Sequence, residues 1–317
     1  MATVRRRRRV RVLVAGGIVA AAAAGISFAT WDRSDGDEGR SPASTGVPGA
    51  PRTTQEAPGA TTTAPRQAGV SPEDVGPSRP DLLRPTGPIT VSTPGAVIEN
   101  VDVDGPIVVE APDVTIRNFR ATNVVQENAG GLLLEDGEIH GGDDPGFGAD
   151  GVAWSSYTAR RLDVHHVFDG FKANGDVLIE DSWVHDLNEF RGDGAGSGGY
   201  SHNDCVQISA GSDIVLRDNR FERCGLNSAV FIDPDQGPID DVLVEGNLLD
   251  GGGYTLYAIQ SRSAPENGPP TAVVVRGNTF GPDHLVDHAT VAGTVEWSGN
   301  VDGDGRPVEP VPDELSG

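Results

Sequence analysis

The chain has few aromatic residues, 5% of 317, and a single lysine, Lys172. Scarce aromatics beside 43 glycines and 23 prolines disfavour a helical bundle and indicate a turn-rich chain. Basic residues are also short, with 24 Lys and Arg against 47 Asp and Glu. From Asp81 onward the imbalance widens to 13 against 40, a net charge of −27. A body that acidic does not bind DNA, RNA or anionic lipid through its general field. Large apolar residues are missing from Asp32 to Pro80, where no Leu, Ile, Phe, Met or Trp occurs. Pro, Thr, Gly, Ala and Ser fill that stretch, which buries too little surface to offset its ordering entropy. Residues 31–80 are therefore expected to form a disordered linker.

Arg5 to Arg9 and Arg11 precede an uncharged stretch from Val12 to Thr30. Such a stretch matches the roughly 20 apolar residues that span a bilayer, with the arginines on the cytoplasmic side. It fits a secretory signal equally well, with Ser27 and Ala29 before a cleavage point. Residues 1–30 thus read as a signal peptide or a membrane anchor. The rest is expected to be secreted or held at the cell surface, touching membrane only through an uncleaved N-terminal segment.

An apolar–x–apolar–x–(Asn/Asp/Gly) pattern recurs nine times, centred on Ile98, Ile116, Leu134, Ala159, Ile179, Leu216, Val244, Val275 and Trp297. Two residues after each centre stand Asn100, Asn118, Asp136, Arg161, Asp181, Asp218, Gly246, Gly277 and Gly299. All but Arg161 are types that tolerate left-handed backbone or cap a turn. A strand, a bend and a second strand, repeated every 18 to 37 residues, are the signature of a solenoid. Period-two alternation buries one face of each strand, and no amphipathic run of helical length separates the copies. The pattern predicts an all-β, single-domain parallel β-helix of about nine coils over residues 81–306, with 307–317 a flexible tail.

A second strand family lies between the bends, in the runs starting at Asp150, Asp169, Asp204, Ser228 and Tyr257. With Val152, Phe171, Val206, Val230 and Ile259 inward, Gly151, Gly170, Cys205, Ala229 and Ala258 would form a small outward column. Ala153, Lys172, Gln207, Phe231 and Gln260 would form the next column. Small beside polar, stacked over several coils, predicts a shallow groove suited to an extended polymer.

The segments Tyr157 to Arg161 (Y-T-A-R-R), Asp169 to Asn174 (D-G-x-K-A-N) and Ser201 to Gln207 (S/T-H-x-D-x-x-Q) add to this pattern. Together they resemble the right-handed parallel β-helix proteins of the pectate-lyase-like superfamily, and more narrowly its exported actinobacterial members. The resemblance covers about residues 85–302 and implies a carbohydrate-active protein. It departs from the polygalacturonase-type hydrolases, since Asn-Thr-Asp and Gly-His-Gly are absent.

The superfamily implies a lysine base that removes the proton next to a uronate carboxylate, and Lys172 in the groove is the candidate; His202, two residues before Asp204, is the second candidate catalytic residue. Its pKa would have to fall well below ~10.4 to act near neutral pH. Asp150, Asp169 and Asp204 open successive strands ~4.8 Å apart, and their mutual repulsion suggests a bound calcium. The competing reading is that they cap turns through backbone N–H groups. Arg191, on an insert over the groove, and Gln207, Phe231 and Gln260 along it are the expected sugar contacts. His165, His166 and His185 show no metal-ligand spacing, so zinc is not expected. Cys224 falls about five residues short of stacking over Cys205, so the two are expected to stay unbridged.

The leading function is polysaccharide lyase chemistry on a uronate-containing glycan by a monomer. One alternative is a glycoside hydrolase in which Asp150 and Asp204, about 9.6 Å apart over two coils, invert a neutral glycan. The other is a non-catalytic module binding glycan along the Phe231 and Gln260 end.

Overall fold

The computed structural model describes residues 69–126, 130–142, 150–189 and 203–313. Its strands form two all-parallel sheets, one of 15 strands and one of 10, which the chain visits alternately. The fold is an all-β parallel β-helix. The nine apolar centres from Ile98 to Trp297 stand in one unbroken register across the larger sheet. Seven of them, Ile116 to Val275, are fully buried, because each coil closes the face its neighbour exposes. Phe119, Phe171, Phe221 and Phe280 fill the interior.

All nine bend residues have positive φ, from 47° at Asn118 to 69° at Gly246. Arg161 adopts φ 53° despite its bulk, and its guanidinium is held 2.6 Å from Asp136 of the previous coil. Immediately after the bends runs a buried amide ladder, Asn219, Asn247, Asn278 and Asn300. Each of the first three donates its main-chain N–H to the side-chain oxygen of the next, at 2.8 to 3.0 Å. The side-chain amides of Asn219, Asn247 and Asn278 return to the Ile179, Leu216 and Val244 carbonyls, each one coil back.

Several boundaries differ from expectation. Residues 69–80, assigned to the linker, lie along the bends: Gly69 donates to Gly246, Gly76 to Arg161, and Arg79 exchanges two hydrogen bonds with Asn118. The segment reads as linker because it uses backbone groups for attachment and has no large apolar residue. At the other end Val308 is buried and Val311–Pro312 pairs with the strand Asp287–Val291, so this part of the expected tail is ordered.

The second sheet brings further corrections. Val152, Phe171, Val206 and Val230 stack as expected, but the next residue in register is Leu256, three before Ile259. Tyr257 therefore pairs with Phe231, and Gln260 falls outside the column. The small column is not outward. A Cβ at Gly170 would meet Val184 Cγ1 at 2.6 Å, one at Gly151 would meet Val164, and Cys205 and Ala229 are fully buried. Alternation fails here because the chain is turning a corner into the strand. Facing inward, Cys205 meets Cys224 in a disulfide with Cα atoms 5.2 Å apart, contrary to the unbridged expectation. Among the described residues no helix is long and apolar enough to cross a membrane. The N-terminal segment lies outside them.

Candidate functional site

The motif D-G-x-K-A-N places one side chain at each end of a short strand, Phe171–Lys172. Asp169 Oδ1 accepts the Asp204 N–H at 2.7 Å, and Asn174 Oδ1 accepts the Ser209 N–H at 3.0 Å, both from the next coil. The two ends are thereby pinned and Lys172 stands between them. From inside the coil, the Tyr157 hydroxyl donates to the Lys172 carbonyl at 2.9 Å.

Lys172 is 9% exposed, far less than a groove lysine would be. Its ammonium donates to Asp169 Oδ2 and to Gln207 Oε1, and lies 4.0 Å from Asp150 Oδ1. Burial pulls the ammonium down, but Asp169 and Asp150 more than offset this and its pKa is raised. That direction suits a fixed cation better than a resting base at neutral pH. Burial pushes the Asp169 carboxyl up to about 7, opposed by Lys172 and reinforced by Asp204 and Asp150. Asp150 is also raised by burial, against the pull of Lys172. Its side chain is 26% exposed against 6% for Asp169, so Asp150 is the carboxyl a ligand can reach.

Thus Lys172, Asp150, Asp169 and Gln207 come together. Asp204 is fully buried beside them, its Oδ1 accepting from Asn227 at 2.6 Å and from the Ser228 hydroxyl. The three aspartates do not fit a calcium ion. Asp169 already takes a lysine and a backbone N–H of the next coil, and Asp204 Oδ1 takes two side-chain donors. A cation there would displace the lysine from its partner. Phe231 is in the column but only 6% exposed, packed edge-on against Tyr257 with ring centroids 5.3 Å apart. Gln260 donates instead to the Pro265 carbonyl at 3.2 Å. His202 and Arg191 lie outside the described residues.

One residue escaped the sequence reading. Trp154 is 43% exposed, one residue beyond Ala153 in the coil next to Lys172, and its carbonyl accepts the Asn174 N–H at 2.9 Å. Its only signal in the sequence is a tryptophan where the strand leaves the column. No protein-family model, curated protein or solved structure matches the chain.

Proposed function

We propose that this chain is an exported carbohydrate-active β-helix protein that cleaves a uronate-containing polysaccharide by β-elimination at the Asp150–Lys172 cluster. The observation that carries the reading is the sole lysine, held as a cation in the middle of a parallel sheet beside a reachable carboxyl of raised pKa. Elimination needs a cation to draw charge from the uronate carboxylate and a base to take the neighbouring proton. Lys172 suits the first role and Asp150 the second. The electron pair left on carbon forms a double bond, the glycosidic C–O bond breaks, and solvent protonates the departing oxygen. Trp154 offers an exposed ring face against which a sugar can stack. Gln207, bonded to the ammonium, orients it. His202, Arg191, Phe231 and Gln260 are secondary in this scheme. A place in the pectate-lyase-like superfamily and a secreted or surface-held location belong to the same reading.

A hydrolase on a more neutral glycan is the second reading. It is favoured by two carboxyls, Asp150 and Asp169, both shifted toward the protonated state that a general acid needs. One assay separates the two. The exported chain is incubated with pectate, alginate, glycosaminoglycan and neutral glycans, following ultraviolet absorbance of the new double bond and release of reducing ends. Absorbance that vanishes in Asp150→Asn supports elimination. Reducing ends without absorbance support the hydrolase, and retention on a glycan column with neither signal leaves a binding module.

A further inference from the structure

Away from the lysine, His140, His165 and His166 each present a ring nitrogen, and these atoms all lie within 4.8 Å of one another. Their three ring centroids are 4.8 to 5.0 Å apart. His140 and His165 are register partners at the ends of the adjacent strands Leu132–His140 and Tyr157–His165. Consecutive strand residues ordinarily point to opposite faces, which would separate His165 from His166. Here His166 takes φ 54°, and the left-handed turn brings its ring back beside its neighbour. The Nδ1 atoms of His165 and His166 are 2.8 Å apart. On its other side His165 Nε2 faces a Glu138 carboxylate oxygen at 3.8 Å.

A fourth imidazole, His185, continues the column with its ring centroid 5.0 Å from that of His165. It is committed elsewhere, with Nδ1 2.8 Å from Asp186 and Nε2 3.0 Å from Asp163. The cluster is therefore three imidazoles and not four.

We infer that His140, His165 and His166 form a binding site for a divalent late transition-metal ion, with zinc the reference case. Three neutral imidazoles suit zinc, copper or nickel, whereas calcium and magnesium require oxygen ligands. Metal–nitrogen bonds of ~2.0–2.1 Å in tetrahedral geometry separate ligand nitrogens by about 3.3 Å, so the two Nδ1 atoms part by about half an ångström on binding. A carboxylate behind one ligand, as Glu138 stands behind His165, is the usual outer partner of a metal-bound histidine. All three rings are partly exposed, which leaves a fourth coordination position for water or a ligand group. Two of the ligands end neighbouring strands of the sheet and the third is the turn residue that follows one of them, so the site is largely preorganised.

A second group, His284, Asp287 and His288, supplies the control. Zinc is titrated calorimetrically into the metal-free, untagged exported chain at neutral pH. Binding of micromolar affinity or tighter is expected, weakened at least tenfold in His140→Gln and in His166→Gln and about tenfold in Glu138→Gln. The double change His284→Gln, His288→Gln should leave that binding event intact. Zinc should also raise the melting temperature of the parent and not of His140→Gln, whose metal-free melting should match the parent's. Absence of binding in the parent overturns the assignment. So does an affinity that ignores His140 and His166, or one that follows His284 and His288.

Discussion

The Tyr157 hydroxyl and the Lys172 carbonyl are 2.9 Å apart, a hydrogen bond that crosses from one sheet to the other inside a single coil. Tyr157 is 2% exposed, and burial raises its phenol well above the ordinary value, so it donates throughout the working pH range. The bond ties the backbone of the only lysine to the core, linking packing to the candidate site. Tyr157→Phe keeps the ring and removes the donor. We expect a loss of about 1 kcal/mol, with a larger fall in turnover than in glycan binding. Urea unfolding and initial rates on the responding polymer check both.

Replacing Lys172 should unfold the protein more readily, which an exposed groove lysine would not do. With the lysine gone Asp169 keeps a buried carboxyl without its cation, and breaking such a pair costs ~3–5 kcal/mol. The carboxyl recovers part of this by taking a proton, since burial already pushes it to about 7. Lys172→Met should therefore be markedly less stable at pH 8 than at pH 5, while Lys172→Met with Asp169→Asn regains stability at pH 8. Denaturant midpoints of the two variants at both pH values decide this.

The pH dependence of the parent follows from the same groups. Asp169 titrates higher folded than unfolded, so between about 4 and 7 the folded state holds the extra proton and stability falls as pH rises. His185 is raised too: burial lowers it, but Asp163 and Asp186 outweigh that. Its contribution is complete below the ordinary histidine value and is lost as pH rises through the folded one. Glu138, held at about 2 by His165 and Arg120 against burial, works in the other sense and is lost as pH falls through that range. Maximum stability is expected near pH 4, where the gain from Glu138 and the descent from Asp169 meet. Asp169→Asn should flatten the descent toward pH 7, as read by melting temperature across the range.

The buried amide ladder should be more sensitive than any apolar position of similar size. Asn247→Ala removes the acceptor of the Asn219 N–H and amide, and the donor to the Leu216 carbonyl. Each orphaned buried group costs ~1–3 kcal/mol, so a loss of at least about 3 kcal/mol is expected. Asn300→Ala orphans the matching groups, the Asn278 N–H and amide and the Val275 carbonyl, so it should cost a similar amount. Paired chemical denaturation curves, with a buried valine changed to alanine alongside, test this.

Opening the bridge between the buried Cys205 and Cys224 releases a loop of sequence separation 19. Chain entropy for that length gives about 3 kcal/mol. Cys205→Ala with Cys224→Ala should fall by roughly that amount in denaturant stability. An unchanged midpoint would mean that the bridge does not form in the folded protein.

The chain's local chemistry was enough to determine the coil. Apolar alternation and a left-handed-tolerant residue at each bend are properties of five consecutive residues, and identical coils can stack only with those patterns aligned. That is why all nine centres, Ile98 to Trp297, share one register, and why Arg161 is pulled into the bend conformation of its neighbours. The asparagine after the bend was visible at positions 219, 247, 278 and 300, yet its role depends on contacts from the coils above and below. Tertiary structure alone decided what happens at the corners, where both Gly170 and Phe171 turn inward and alternation no longer tells inside from outside. It set how far each coil overshoots the last, and so brought Cys205 to Cys224, moved Leu256 into the place of Ile259, and put Lys172 against Asp169. The same stacking set His140 beside two histidines 25 and 26 residues further on. Coil length is governed by the loops, which carry no repeating pattern, so contacts between coils are written in three dimensions only.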